Sequence, residues 1–192
     1  MDYEISVGGS TRSVPAGANV LLMHPSTGET DRIDTDFLKT DTDRFLVVST
    51  RTTAREVRQK LEYYDVDDSR ADILDTLSVE RGYSRRGSDH VHYVSAPDDT
   101  DAIVEQVAAF FDRTGDRRRL SFDSVTELAY YAGETAAIDA VERMVALVDE
   151  HDAVSLFHLS PEVHDDEELA AYRDLFDGVI ELSEDGDLTV DL

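Results

Sequence analysis

Apolar residues in this chain fall into short continuous runs separated by longer stretches at helical spacing. Residues 20–23, 45–48, 120–122 and 153–159 are runs of the kind a fully buried parallel strand needs. A further short run, 91–94, is closed by Ala96-Pro97. Between the runs, Ile33, Phe37 and Leu38 share one helical face, as do Val57, Leu61 and Tyr64 over residues 53–65. Ile103, Val104, Val107, Phe110 and Phe111 form a wider stripe, with Asp98 and Asp99 where an N-cap is expected. Residues 135–150 repeat the pattern, with Ile138, Val141, Met144, Val145 and Val148 inward, and residues 166–176 form a shorter helix. Residues 71–77 read as a connecting segment and RGYSRRGSDH as an exposed loop. At the front, Tyr3, Ile5 and Val7 alternate with polar residues as in an edge strand, and Gly8-Gly9 turns the chain. At the back, 178–182 and 188–192 flank Asp185-Gly186, a strong hairpin signal.

Strands alternating with helices predict an α/β fold: a three-layer sandwich with a mostly parallel central sheet, helices on both faces and a C-terminal antiparallel hairpin. At 192 residues a single domain spanning 1–192 is expected. Right-handed crossovers put the loops that follow strands on the carboxyl edge, where such sheets bind ligands.

The first core strand runs into NVLLMHPSTGET, and strand, tight loop and helix is the setting of a phosphate-binding loop. Aligned on GxxxxGK[ST], Gly28 and Thr30 match, but Met23 replaces the first glycine and Glu29 the lysine. At ~4 Å and an effective dielectric near 20, exchanging an ammonium for a carboxylate turns attraction into repulsion by several kcal/mol per phosphate charge. Asp31 adds negative charge at the helix N-terminus, where an anion would otherwise be stabilised.

Charge narrows the function classes. Acidic residues number 43 against 18 basic ones, a net of −25, and Lys39 and Lys60 are the only lysines. Self-repulsion on that scale is relieved by strong salt, which shortens the Debye length to ~3 Å at 1 M. Acid-rich, lysine-poor and cysteine-free, the chain resembles cytoplasmic proteins of salt-accumulating halophiles, and a cytoplasmic location is expected. Zero cysteines exclude disulfides, thiolate metal sites and a cysteine nucleophile. No apolar run approaches a membrane span, and the N-terminus lacks the basic and apolar regions of a signal peptide. Arg113, Arg117, Arg118 and Arg119 form the main basic cluster, with Arg81, Arg85 and Arg86 as a second. The net charge, and the lack of interleaved aromatics, argue against nucleic acid. The clusters read as local charge compensation or as an interface between subunits.

Three stretches together resemble the KaiC-like branch of the RecA-type P-loop ATPases, with a haloarchaeal character. They are VLLMHPSTGET, then RLSFDSVTELAYY with its strand ending in Asp123 before Ser124, then AVSLFHLSPEVHDDEELAAYRDLFDGVIELSEDG. The resemblance covers residues 19–182 and implies the fold. It also implies that the first strand lies between those ending at Asp123 and His158. Of the parts that hold phosphate and magnesium in the family, Gly28, Thr30 and Asp123 remain; the paired glutamates after the second strand are replaced near Arg51 and Thr52. The resemblance therefore implies a degenerate, non-catalytic paralogue with no cofactor. Its role would be regulatory or scaffolding, through a protein partner or self-association as a homo-oligomer. The alternative is a ligand- or nucleotide-binding sensor or enzyme that uses the remodelled pocket.

Candidate pocket residues are His24, Ser26, Arg51, Asp123, Ser124 and His158. His24, Asp123 and His158 each close an apolar run, so their side chains are expected to meet at the carboxyl edge. Two imidazoles and a carboxylate suit a divalent metal, but no HxxxH or HExxH spacing is present, so mutual hydrogen bonding is the reading taken and no metal is expected. Ser124 lacks a GxSxG elbow. His90, His92 and His164 read as structural. Tyr130 and Tyr131 read either as an exposed patch or as packing beneath the next helix.

Overall fold

The structure, a computed structural model, describes residues 2–83, 88–113 and 115–192. Its centre is an eight-stranded sheet. Strands β3 (Asn19–Met23), β4 (Arg44–Ser49), β5 (Ala71–Asp75), β6 (Val91–Tyr93), β7 (Arg118–Asp123), β8 (Val154–Leu159) and β9 (Gly178–Leu182) are parallel, and β10 (Leu188–Asp191) returns antiparallel along β9. The spatial order is β10-β9-β3-β8-β7-β4-β5-β6. Strands β3 and β8 are buried along their whole length, which is why they read as unbroken apolar runs and not as alternations.

Helices cover both faces. On one lie α1 (Asp31–Lys39) and α2 (Ala54–Tyr63); on the other lie α3 (Thr100–Arg113), α4 (Val125–Ala132), α5 (Glu134–Glu150) and α6 (Asp166–Arg173). Capping boxes start α2, with Thr53 and Glu56, and α6, with Asp165 and Glu168.

Three expectations need correction. The segment 71–77 contains β5, all five of whose residues are buried. The two acids that disguise it are satisfied internally: Asp72 pairs with Arg44 and His90, and Asp75 accepts from the amides of Ala54, Leu77 and Ser78. The alternating N-terminal segment, β1 (Asp2–Val7), does not join the main sheet; it pairs with β2 (Ser10–Pro15) as a separate hairpin packed against α1. The expected C-terminal antiparallel hairpin is present: β10 returns along β9, which itself continues the parallel sheet beside β3. Finally, β8 lies between β3 and β7, so the strand ending at His158 is the middle one of the three, and not β3.

The arginines of β7 clasp the hairpin. Arg119 is fully buried, its guanidinium 5.4 Å from the Tyr3 ring and 4.9 Å from the Phe37 ring, and it donates to Glu4 O at 2.6 Å. Burial pushes its pKa down to about 10. Arg117 pairs with Asp41 and donates to Asp2 O, and Arg118 donates to Phe111 O and His151 O. Three members of the expected basic surface cluster thus bind the protein's own backbone and carboxylates. Arg85 and Arg86 lie outside the described residues.

Candidate functional site

Parallel pairing aligns the ends of β3, β8, β7 and β4, and the side chains that follow converge there. His24 and His158 are both buried, with ring centroids 5.4 Å apart and edge to face. His158 Nδ1 lies 3.9 Å from Asp123 Oδ1. Arg51, just past β4, pairs with Asp123 at 2.8 and 3.0 Å.

Two further residues complete the group, and both come from helices. Asp34 of α1 is fully buried; its Oδ2 accepts from Lys60 Nζ of α2 at 2.8 Å, and its Oδ1 accepts from Ser121 Oγ at 2.5 Å and His158 Nε2 at 3.3 Å. The result is a continuous row, Lys60–Asp34–His158–Asp123–Arg51, with His24 leaning on its middle. Both helix residues carried a visible signal. Asp34 stands on the apolar stripe one turn before Phe37 and Leu38, and Lys60 stands between Val57 and Tyr64 at the same spacing. A charge on an inward stripe requires a partner.

Proton affinities follow from this packing. Burial alone would raise Asp34, but Lys60 and His158 outweigh it and hold the carboxyl far below the usual carboxylate range. Asp123 is depressed in the same way: burial opposes ionisation, and His158 and Arg51 overcome it. Lys60 and Arg51 are raised, since their carboxylate partners outweigh burial. His24 is pushed down to about 4 by burial and by neighbouring His158. Its Nδ1–H donates to Pro25 O at 2.8 Å, so the neutral ring presents a bare Nε2 inward. His24 Nε2 and His158 Nδ1 have no hydrogen-bond partner among the described residues.

The loop above this row is folded on itself. Gly28 N–H donates to Pro25 O at 2.8 Å, and a Cβ at Gly28 would lie 3.0 Å from that oxygen, which explains the glycine. Ser26 is exposed, and its N–H donates to the Glu162 carboxylate at 2.5 Å. Glu29 is exposed, and Thr30 is the buried N-cap of α1 with no side-chain cap bond. A cleft of about 590 Å³ between the loop and the β9–β10 turn is edged by Glu29, Glu184 and Asp185. Ser124 is buried, its peptide bond with Asp123 is cis, and its hydroxyl donates to Glu127. No histidine bonds that hydroxyl among the described residues; the Glu127 carboxylate holds it.

The remaining candidates lie elsewhere. His90 bonds Asp72, and His92 stands 3.5 Å from Arg113. Tyr130 ends α4 with 83% of its surface exposed, beside partly exposed Tyr131. His164, just before α6, has a side chain 1% exposed between Glu134 and Glu168.

Comparison with known proteins places this geometry. Residues 1–192 match a family of unknown function (DUF7090). A KaiC-like protein from the hyperthermophilic archaeon Pyrococcus horikoshii superposes with a TM-score of 0.62 at 14% identity, over 92% of this chain and 77% of its own. An ATPase from the type III secretion system of pathogenic bacteria superposes with a TM-score of 0.61 at 13% identity, over 91% of this chain and 53% of its own. At such identities the likeness is one of fold, and the fold is RecA/KaiC-like. No curated protein matches the chain in sequence.

Proposed function

The chain belongs to DUF7090, a family of unknown function, and we propose that it is a non-catalytic KaiC-like domain, a pseudo-ATPase that acts by protein association in a regulatory or scaffolding role. The observation that carries this reading is the Arg51–Asp123 ion pair at 2.8 and 3.0 Å. The acid that would face magnesium in a working site is already neutralised by a side chain from the position where the family carries its glutamates. Three features support it. Glu162 occupies a loop amide that would face phosphate. Glu29, Glu184 and Asp185 edge the adjoining cleft with negative charge. The buried row beneath contains two carboxylates and two permanent cations, so it is balanced without nucleotide or magnesium.

Calorimetric titration of ATP–magnesium in molar KCl tests the reading. The expected result is no affinity tighter than about millimolar and no phosphate release; a micromolar dissociation constant overturns it. Sedimentation of the purified chain tests association, with a homo-oligomer expected. A second reading, a small-ligand sensor using the remodelled pocket, is favoured by the bare inward nitrogens of His24 and His158. Under it, His24→Asn would abolish ligand binding without unfolding the chain.

A further inference from the structure

Glu134, at the start of α5, His164, just before α6, and Glu168, in the first turn of α6, share no residue with the pocket beneath the loop. His164 Nδ1 lies 2.8 Å from Glu134 Oε1 and 3.8 Å from Glu168 Oε2, and one donor atom from each residue lies within 4.8 Å of the other two. Donors bound tetrahedrally at ~2.0–2.1 Å stand roughly 3.3 Å apart, so the two histidine spacings bracket what an ion between them requires. Two carboxylates and an imidazole suit zinc, cobalt or manganese better than magnesium or calcium.

The surroundings of His164 point the same way. Its other nitrogen, Nε2, lies 3.0 Å from Thr126 Oγ1, and that oxygen accepts from Ser160 N–H at 2.9 Å. Thr126 can donate to Nε2 while Nδ1–H bonds Glu134. It can equally accept from Nε2–H, leaving the Nδ1 lone pair free for a metal. Either tautomer therefore fits the same heavy-atom positions, and an N–H anchored away from the ion is the usual outer support of a metal-binding histidine. Tyr172 O–H donates to Glu134 Oε2 at 2.7 Å and orients that carboxylate. Neither Glu134 nor Glu168 has a lysine or arginine ion-pair partner among the described residues; Glu168 Oε2 accepts from the Asp165 N–H at 2.9 Å, which orients it as Tyr172 orients Glu134. Glu134 and His164 also line an open cleft of about 400 Å³ with Thr126, Glu127, Tyr130 and Tyr131, which supplies an entry path and room for water ligands.

We infer that Glu134, His164 through Nδ1, and Glu168 form a binding site for a divalent first-row transition metal ion, opening into a cleft walled by Tyr130 and Tyr131. Zn²⁺ is the probe, titrated calorimetrically into the chelator-stripped full chain in molar KCl. One equivalent should bind. His164→Ala should abolish that event, and Glu168→Gln should weaken it at least about tenfold. Thr126→Val, which touches no ion, should weaken it by about 10- to 100-fold. His90→Gln, a histidine outside the site, should bind as wild type does. Should a ligand variant fail to fold, the wild type decides alone. In a long-range ¹⁵N spectrum of the six histidines, Zn²⁺ should move the ring nitrogens of His164, assigned through Thr126→Val. No one-equivalent event, equal binding by every variant, or an unmoved His164 ring each overturns the inference; equal binding would put the ion on the acidic surface.

Discussion

Two histidines in this protein are each held between two carboxylates, and the two settings are opposites. His158 lies between Asp34 and Asp123, and Lys60 and Arg51 close the row at either end. His164 lies between Glu134 and Glu168, and no lysine or arginine closes that group among the described residues. The same ligand types thus give a sealed, charge-balanced interior in one place and a cation-seeking cleft in the other. What a histidine–carboxylate cluster can bind is decided by the fixed cations around it more than by the cluster itself.

The comparison can be attacked first through salt. Screening acts on exposed charges and hardly on buried ones, so surface and interior should separate cleanly. Thermal melts across a KCl series should rise steeply toward molar salt, because 43 acids face 18 bases. A flat series would mean that the surface acids are internally compensated like Asp34.

Next in size is the sealed row itself. Asp34→Ala strands Lys60 in the interior and should cost about 3–5 kcal/mol in urea unfolding, with little change between low and high salt. Replacing both, as Asp34→Leu with Lys60→Met, should recover much of that loss. A single-variant cost below about 1 kcal/mol would show that water reaches Lys60.

Acid should expose His24. Its folded pKa, about 4, lies below the ordinary histidine value. As pH falls from about 6.5 to 4, the unfolded chain takes up a proton that the native state refuses, and stability drops by about 3 kcal/mol. Asp34 and Asp123 are depressed groups whose contribution persists above the ordinary carboxylate range and is lost only at lower pH. Within the window His24 carries the larger part of the slope and His92, also lowered by burial and by Arg113, adds to it, so His24→Asn should reduce the slope. An unchanged slope would remove His24 from the buried group.

The smallest effect belongs to the open cluster. Glu134→Gln keeps an acceptor for Tyr172 and strands no cation, so metal-free protein should lose only about 1 kcal/mol. A loss as large as that of Asp34→Ala would erase the distinction between the two settings.

The sequence carried the strands that are mostly apolar without alternation, β3, β4 and β8, because burial on both faces leaves no room for it. It concealed β5, since Asp72 and Asp75 read as solvent-facing until their donors are known. The ends at His24, Asp123 and His158 were legible as a meeting point, because parallel strands finish on one edge. The order of the strands was not, because order is set by which crossovers pack and leaves no local mark. Asp34 and Lys60 were legible in principle, as charges on apolar stripes, whereas the burial of Arg119 and His164 depends on residues distant in sequence: Tyr3 and Phe37 for one, Thr126 and Glu134 for the other.

The clasped hairpin has a consequence for how the chain is made. β1 and β2 pair through a tight local turn, but a two-stranded hairpin alone is marginally stable and depends on its seat. Their seat forms much later. Tyr3 O–H donates to Asp152 O at 3.0 Å and accepts from Arg118 N–H at 3.2 Å, and Arg119 fills the space behind it. Chains grow at about 5–20 residues per second, so some 7 to 30 seconds separate the hairpin's emergence from that of Asp152. Through that interval β1 has α1 to pack against but lacks the seat of Tyr3.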